Sequence, residues 1–425
     1  MKNISISILF VLALSFSGQA QNVSLFAGSP NVPGYNSSGT AISSAKFNQP
    51  YGIALDGQGN FWISETGGQV IYMITSSNMV YVRAGSYTNT GYVNSSGVNA
   101  RFYNPKGMAV GPNNEIYIAD YSNNVIRKLT AFTSLGSAQT VSKFSGKQGT
   151  SGGYVNGSAT VAEFNGPTDI VVDASGNLYV SDFNNHVIRK ITSSGAVSLL
   201  AGQPNSSGST DGHATSTAKF NGPAGLYLKD SVLYVTDNWG SKIRKISLNS
   251  SWVKTISSAY WTPSDILEYD GSLYFTDQHR VARYSNSTLT TYAGSATLNQ
   301  SGYTNGFGTA ARFYNAKGMI YNPADTSMLI IDSDNHVIRK VTLCPTITPS
   351  ITISGNTSFC DGDSVILTGP SGYASYAWSN SKTTQSIVVK NSATLTLTVT
   401  NSNQCTGISS PVTLTKKSLP NANFN

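Results

Sequence analysis

The 425-residue sequence predicts an all-β chain: a six-bladed β-propeller closed by its own N-terminal strand, followed by a small β-sandwich. Three observations predict it. Charged residues make up only 11 % of the chain while Gly, Tyr and small polar residues abound, a composition suited to short strands joined by tight turns. A strand phrase recurs six times, and after residue 343 it stops and arginine disappears from the sequence.

Taken in chain order, the first segment is Lys2, an apolar run from Ile4 to Phe16, and small residues at Gly18 and Ala20. Residues 1–20 read as a signal peptide, the run being too short for a membrane span of about 20 residues. The mature chain is therefore expected to be secreted or at the cell surface after cleavage near Ala20, with no membrane span. Its 27 Lys and Arg against 20 Asp and Glu give a formal net charge of +7, but these residues are dispersed. Without a basic block the electrostatic footprint of a nucleic-acid binder is missing, so no nucleic-acid partner is expected.

Residues 21–343 carry the repeats. The first phrase appears as Phe47-Asn-Gln-Pro50-Tyr-Gly-Ile-Ala, Phe102-Tyr-Asn-Pro105-Lys-Gly-Met-Ala and Phe164-Asn-Gly-Pro167-Thr-Asp-Ile-Val. It returns as Phe220-Asn-Gly-Pro223-Ala-Gly-Leu, Trp261-Thr-Pro263-Ser-Asp-Ile-Leu and Phe313-Tyr-Asn-Ala316-Lys-Gly-Met. A second phrase follows each copy, for example Leu178-Tyr-Val-Ser-Asp182 and then Val187-Ile-Arg-Lys-Ile191. Between them lie turns such as Asp173-Ala-Ser-Gly-Asn177, whose Gly supplies the positive φ of a hairpin. A third strand phrase, as in Val197-Ser-Leu-Leu-Ala-Gly202, ends most copies.

Four short strands per repeat make one propeller blade, and six such units close a ring with few exposed edges. The sixth repeat ends at Leu343 without an outer-strand phrase, whereas Val23-Ser-Leu-Phe-Ala-Gly28 is an outer-strand phrase with no blade before it. The leading segment is expected to complete the last blade. These phrases resemble the NHL-repeat six-bladed propellers, and the resemblance runs over about residues 22–343. It implies the fold; its functions range over enzymes, sensors and binders of RNA or protein.

Residues 344–350 read as a linker and 351–418 as the second module, with 419–425 a linker or the start of a further one. Strand-like runs separated by turn residues suggest a small sandwich with Trp378 in its core. Cys360-Asp-Gly-Asp-Ser-Val-Ile-Leu, Tyr376-Ala-Trp-Ser-Asn380 and Cys405 resemble the immunoglobulin-like modules of secreted and adhesive Bacteroidota proteins. On that resemblance a Cys360–Cys405 disulfide is expected, leaving Cys344 over.

Chemistry is sparse. No nucleophile elbow, phosphate-binding Gly loop or paired-Cys metal motif is present. His186 and His336 share one repeat position and His279 its shortened equivalent, which favours turn-forming histidine over zinc ligand. Propellers of the amidating-lyase type place zinc histidines after the Pro-containing phrase; here those positions are Tyr51, Lys106, Thr168, Ala224, Ser264 and Lys317. Arg127, Arg189, Arg244 and Arg339, with Asp120, Asp182, Asp237, Asp277 and Asp332, recur in nearly every blade and read as architecture.

Two sets of residues break the repeat. Asp169 and Asp265 replace the Gly of the inner-strand phrase, and Lys106 and Lys317 fall one position earlier in neighbouring copies. At the channel mouth they are expected to form Lys106–Asp169 and Asp265–Lys317 ion pairs; the sharper alternative is a calcium or polar-ligand site on the two carboxylates. The second set is an aromatic arc of Tyr121, Phe183 and Trp239 beside Asn123, Asn184, Asn185, Asn238 and His186, suited to a sugar or peptide or else packed beneath the long loops.

The leading expectation is an extracellular binding or adhesion scaffold, a binder more than an enzyme. Its monomeric propeller would recognise a glycan, peptide or protein, with the sandwich as spacer and no cofactor. The alternative is a calcium-dependent lactonase or lyase at the channel mouth.

Overall fold

The structure is a computed structural model; it describes residues 21–425 except 150, 260, 298–299, 346, 403–404 and 419–425. The expected signal peptide over 1–20 and the segment 419–425 lie outside the described residues. Residues 21–343 form one compact unit, and the described residues from Cys344 onward belong to a second.

The repeated phrases fold as written in the sequence. In the third copy Pro167–Val172, Leu178–Asp182, Val187–Ile191 and Val197–Gly202 form one antiparallel sheet in chain order. Its first hairpin turns because the Asp173 carboxylate accepts the Ser175 and Asn177 N–H groups while Gly176 takes φ +77°. Six sheets of four or five strands arise this way among the described residues of this unit. Second strands such as Leu178–Asp182 are buried along their whole length, because neighbouring sheets cover both faces. One inter-sheet layer joins Ala109, Tyr117 and Ile126 of the second sheet to Phe164, Ile170 and Val180 of the third.

The innermost strands adjoin one another in chain order, and the last, Ala316–Asn322, adjoins the first, Pro50–Leu55. Glycine sets their spacing. A Cβ on Gly52 would lie 2.5 Å from the Lys106 carbonyl, one on Gly107 2.6 Å from Asp169 Cα, and one on Gly318 2.6 Å from the Tyr51 carbonyl. At the same place every inner strand shifts register against its partner, between Pro167 and Ile170 in the third sheet and between Ala316 and Met319 in the sixth. This bulge frees backbone groups that a regular ladder would occupy.

Hydroxyl groups take up several of them. Ser64 Oγ accepts the Gly52 N–H and donates to the Lys106 carbonyl of the next sheet. Ser181, Thr236 and Thr276 repeat the relay to Ala224, Ser264 and Lys317. A second set of clasps comes from the residue after each tight turn: Asn124 Oδ1 accepts the Gly166 N–H, His186 Nδ1 that of Gly222, and His336 Nδ1 that of Gln49. Both His186 and His336 hold φ near +60°, so they combine the turn with the clasp. The leading segment Asn22–Ala27 lies antiparallel to Val337–Thr342, pairing Val23 with Val341 and Leu25 with Arg339.

Among its described residues the second unit forms three three-stranded sheets over a core that includes Phe359, Leu367, Trp378, Leu397 and Leu414. Trp378 is buried, and its indole N–H donates to the Thr384 carbonyl. The expected Cys360–Cys405 disulfide is corrected. Cys405 pairs with Cys344 at a Cα separation of 5.3 Å, while Cys360 is free and exposed. Cys360 ends the strand Ser358–Cys360, which runs parallel to Val412–Lys417, with its side chain turned to solvent. Cys405 instead sits beside Thr406–Ile408, where Gly407 packs against Ile347 only three residues after Cys344. The expected linker at 344–350 is thereby bound into the second unit.

Candidate functional site

The turns after the second strands and the starts of the inner strands share one end of the sheets, where the residues that depart from the repeat collect. At the position after the Pro of the inner strand, sheets two and six present Lys106 and Lys317, and sheet one between them presents Tyr51. Lys106 Nζ lies 3.3 Å from the centroid of the Tyr121 ring and 5.1 Å from that of Tyr51. Lys317 Nζ lies 5.8 Å from the Tyr51 ring and 3.5 Å from Ser264 Oγ. These groups line an open cavity of about 290 Å³ with Gln49, Thr66, Asn104, Asn315, Ser333 and Asp334.

The expected ion pairs Lys106–Asp169 and Asp265–Lys317 are not formed. Asp169 reaches forward into sheet four, where Oδ2 accepts the Leu226 N–H at 2.8 Å. Asp265 reaches into sheet six, Oδ2 accepting the Met319 N–H at 2.7 Å and Oδ1 its neighbouring Ile266 N–H at 2.8 Å. The bulge explains the difference. It presents a bare N–H of the following sheet to each carboxylate, while the lysine one residue earlier points the opposite way along an extended strand. Both carboxylates line a small cavity of about 20 Å³ with Tyr51 and Lys317, and a larger one of about 390 Å³ opens beyond them.

Burial and mutual repulsion dominate the electrostatics of this channel. Burial pushes the Asp265 carboxyl up to about 7, against the Met319 and Ile266 N–H groups that favour its charge. Asp169 is pushed well above the usual carboxylate range by burial and by Asp265. Desolvation lowers Lys106 to about 7, with a further contribution from Lys317, and lowers Lys317 to about 8 against the attraction of Asp334.

The sign for stability follows. A carboxyl whose folded pKa is raised favours folding below its unfolded pKa, and that advantage is lost as pH rises through about 7. Asp169→Asn, which removes one of the two like charges, is therefore expected to gain stability relative to wild type between about pH 6 and pH 8. The limit is about 1.4 kcal/mol per pH unit for each proton. Urea unfolding of both proteins at the two pH values checks this; a constant difference would refute the charge coupling.

Both carboxylates accept backbone N–H bonds, and of the six to eight oxygen ligands that calcium takes they would supply only part, the rest being carbonyls or water. Among the described residues no group of three or more His, Cys, Asp or Glu could hold a metal ion.

The aromatic arc is divided. Phe183 and Trp239 meet edge to face with centroids 4.6 Å apart, His186 lies 6.2 Å from Trp239, and Trp239 is 55 % exposed. Tyr121 turns instead toward Lys106. The asparagines serve as fasteners: Asn123 donates to Asp120 and the Gly91 carbonyl, and Asn185 to Asp182 and the Gly153 carbonyl. Asn184 donates to Asn165 and Asn238 to the Pro263 carbonyl.

The recurrent arginines are architecture in full detail. Arg189, fully buried, donates to Asp182, to Asn156 and to the carbonyls of Val155 and Glu163, with its guanidinium 4.4 Å from the Tyr154 ring centroid. The two Gly-Tyr-Val-Asn loops, Gly91–Asn94 and Gly153–Asn156, are thus docking segments for Arg127 and Arg189. The hydroxyl relay and the left-handed clasps escaped sequence reasoning, although Ser64, Ser181, Thr236 and Thr276, each before the acidic residue that ends its phrase, were a visible signal for the first.

Residues 102–129 and 164–191 match the family model described as NHL repeat. Over 92 residues the chain is 38 % identical to NHL repeat-containing protein 2 of Gallus gallus and 34 % identical to that of Bos taurus. Each alignment spans 21 % of this chain and 12 % of the relative, so only a small part of those proteins' length is matched. Among solved structures, a gluconolactonase from Xanthomonas campestris aligns over 72 % of this chain and 88 % of its own, at 13 % identity and a TM-score of 0.47. A virginiamycin B lyase from Staphylococcus aureus aligns over 76 % and 99 %, at 16 % identity and a TM-score of 0.45. The chain carries NHL repeats in an all-β fold consistent with a β-propeller.

Proposed function

We propose that the chain is an extracellular binding or adhesion scaffold. In this reading its six sheets are the blades of a closed propeller whose loop-bearing end recognises a glycan, peptide or protein, and the second unit is an immunoglobulin-like spacer. The observation that carries it is Trp239, 55 % exposed on a ledge braced by Phe183, at the end of the sheets where the repeat breaks down. A large indole held rigid by a neighbouring ring supplies contact area at little entropic cost, which is how aromatic anchors dominate recognition surfaces. The repeated polar groups nearby are satisfied internally, so the ledge and the lysine pocket are what this end offers a partner. Glycan and peptide arrays probed with the mature chain test the reading. Binding that falls about tenfold or more in Trp239→Ala supports it; hits indifferent to that change, or none, overturn it.

A further inference from the structure

The inference deepens that reading and rests on it, because it names the ligand chemistry of the same end of the propeller. Three observations converge on the Lys106–Lys317 pocket. First, neither lysine makes an ion pair with any described carboxylate, although Lys128, Lys147, Lys229, Lys340 and Lys416 all do. Second, the two ammonium groups flank one ring, Tyr51, and are close enough for Lys317 to depress Lys106, so together they make a positive field that Asp334 offsets only in part. Third, the equivalent positions in the other three sheets are Thr168, Ala224 and Ser264, so the charge is placed on one half of the ring and has no architectural role shared by the repeats. Holding two half-buried lysines together opposes folding, and a bound anion relieves that cost.

We propose that this pocket binds the carboxylate of a small acidic ligand, with Lys106 and Lys317 as its two donors and Thr66, Asn104 and Asn315 available to the rest of the molecule. Asp334 in the lining selects the charge: two ammonium groups against one carboxylate leave a single net positive charge, matched to a monoanion, whereas a phosphate dianion would leave one negative charge unneutralised beside Asp334. The cavity, about 290 Å³, holds one sugar acid or one acidic amino-acid residue.

Proton linkage adds a sign. The carboxylate needs both lysines charged, so affinity falls as pH rises through about 7 to 8. The other groups facing the site act in the same direction or are silent there. Asp265 and Asp169 below Tyr51 gain negative charge over that range, and Asp334 adds its carboxylate in the lining. His279 and His336 are held below their usual value by burial, and the Tyr51 hydroxyl is pushed upward.

The experiment is titration calorimetry of the mature chain with glucuronate, galacturonate and the monoanionic α-amide of N-acetylglutamate, with glucose, galactose and inorganic phosphate as controls. Expected are binding of at least one carboxylate, none of the neutral sugars, and a loss of roughly tenfold or more in either Lys106→Gln or Lys317→Gln. Lys106→Arg should keep binding, and the affinity of wild type should drop between about pH 6.5 and pH 8.5. Which carboxylate responds tells a sugar acid from an acidic amino acid. An unchanged affinity in both Gln variants, phosphate binding as tight as the carboxylates, or no carboxylate binding would each overturn the proposal. Thermal midpoints of the variants verify folding. Array binding lost in Trp239→Ala without any carboxylate response overturns this proposal alone; carboxylate binding with arrays indifferent to Trp239→Ala supports it and overturns the ledge.

Discussion

A chain shortened to begin at residue 29 is expected to lose the cooperative unfolding transition of residues 21–343. Asn22–Ala27 supplies the outer strand of the last sheet, and its removal leaves Val337–Thr342 as a bare edge within a packed unit. Val23 is fully buried in a cluster with Tyr274, Phe313, Val341 and Leu343, so the deletion also opens the layer between the fifth and sixth sheets. A point variant separates this from a general effect of truncation. Val23→Asp buries an unpaired carboxylate in that cluster and is expected to cost roughly 4 kcal/mol or more. Leu25→Asp, two residues along the same strand at a position that is 36 % exposed, should stay within about 0.5 kcal/mol of wild type. Circular dichroism melts and urea titrations of the three proteins measure it. Equal stability of Val23→Asp and Leu25→Asp would mean that the strand does not hold the unit together.

The second large effect is expected at Arg189, where Arg189→Leu should destabilise the same unit by about 3–5 kcal/mol. The guanidinium satisfies two backbone carbonyls, Asn156 and Asp182 at once, and its side chain is fully buried. Its loss leaves Asp182 a buried carboxylate without a counter-ion. Burial already pushes that group up to about 6 against the Arg189 charge, and without Arg189 it rises further. The sign is then fixed: the raised folded pKa favours folding at low pH and the advantage is lost as pH rises, so the variant's deficit should be smaller near pH 5 than near pH 8. Adding Asp182→Asn, which removes the orphaned charge, should recover part of the loss. Urea unfolding at both pH values is the measurement; a deficit below about 1 kcal/mol would place the arginine among dispensable surface contacts.

The fate of individual residues separates what local sequence encodes from what packing decides. The six inner strands, their hairpin turns and the pairing partner of Val23 were legible because each depends on short-range alternation, on a turn residue such as Gly176 or on a strand phrase out of place. The arginine–aspartate pairs were legible for a related reason: on adjacent antiparallel strands Arg189 stands opposite Val180, two residues from Asp182 and so diagonal to it on one face, and repetition makes the pattern visible. Asp169 and Asp265 were visible as departures, but their partners were not. The register shift after Pro167 gives Asp169 a backbone N–H from sheet four in place of a lysine from sheet two, and a bulge has no side-chain signature that says where a displaced group will land. The cysteines failed for a different reason: similarity suggested Cys360, while the path of the chain past Gly407 brought Cys344 to Cys405.

From its sequence alone, then, this protein has its strands, its repeat number and the two places where the repeat is broken, because periodicity and turn chemistry act between near neighbours along the chain. Only the tertiary structure decided that Lys106 and Lys317, 211 positions apart, face one tyrosine ring without a carboxylate to pair with, and that the aromatic arc splits into a lysine pocket and a tryptophan ledge. Those outcomes depend on bulged inner strands meeting their neighbours from adjoining sheets, where a shift of one residue turns a side chain from one neighbour to another.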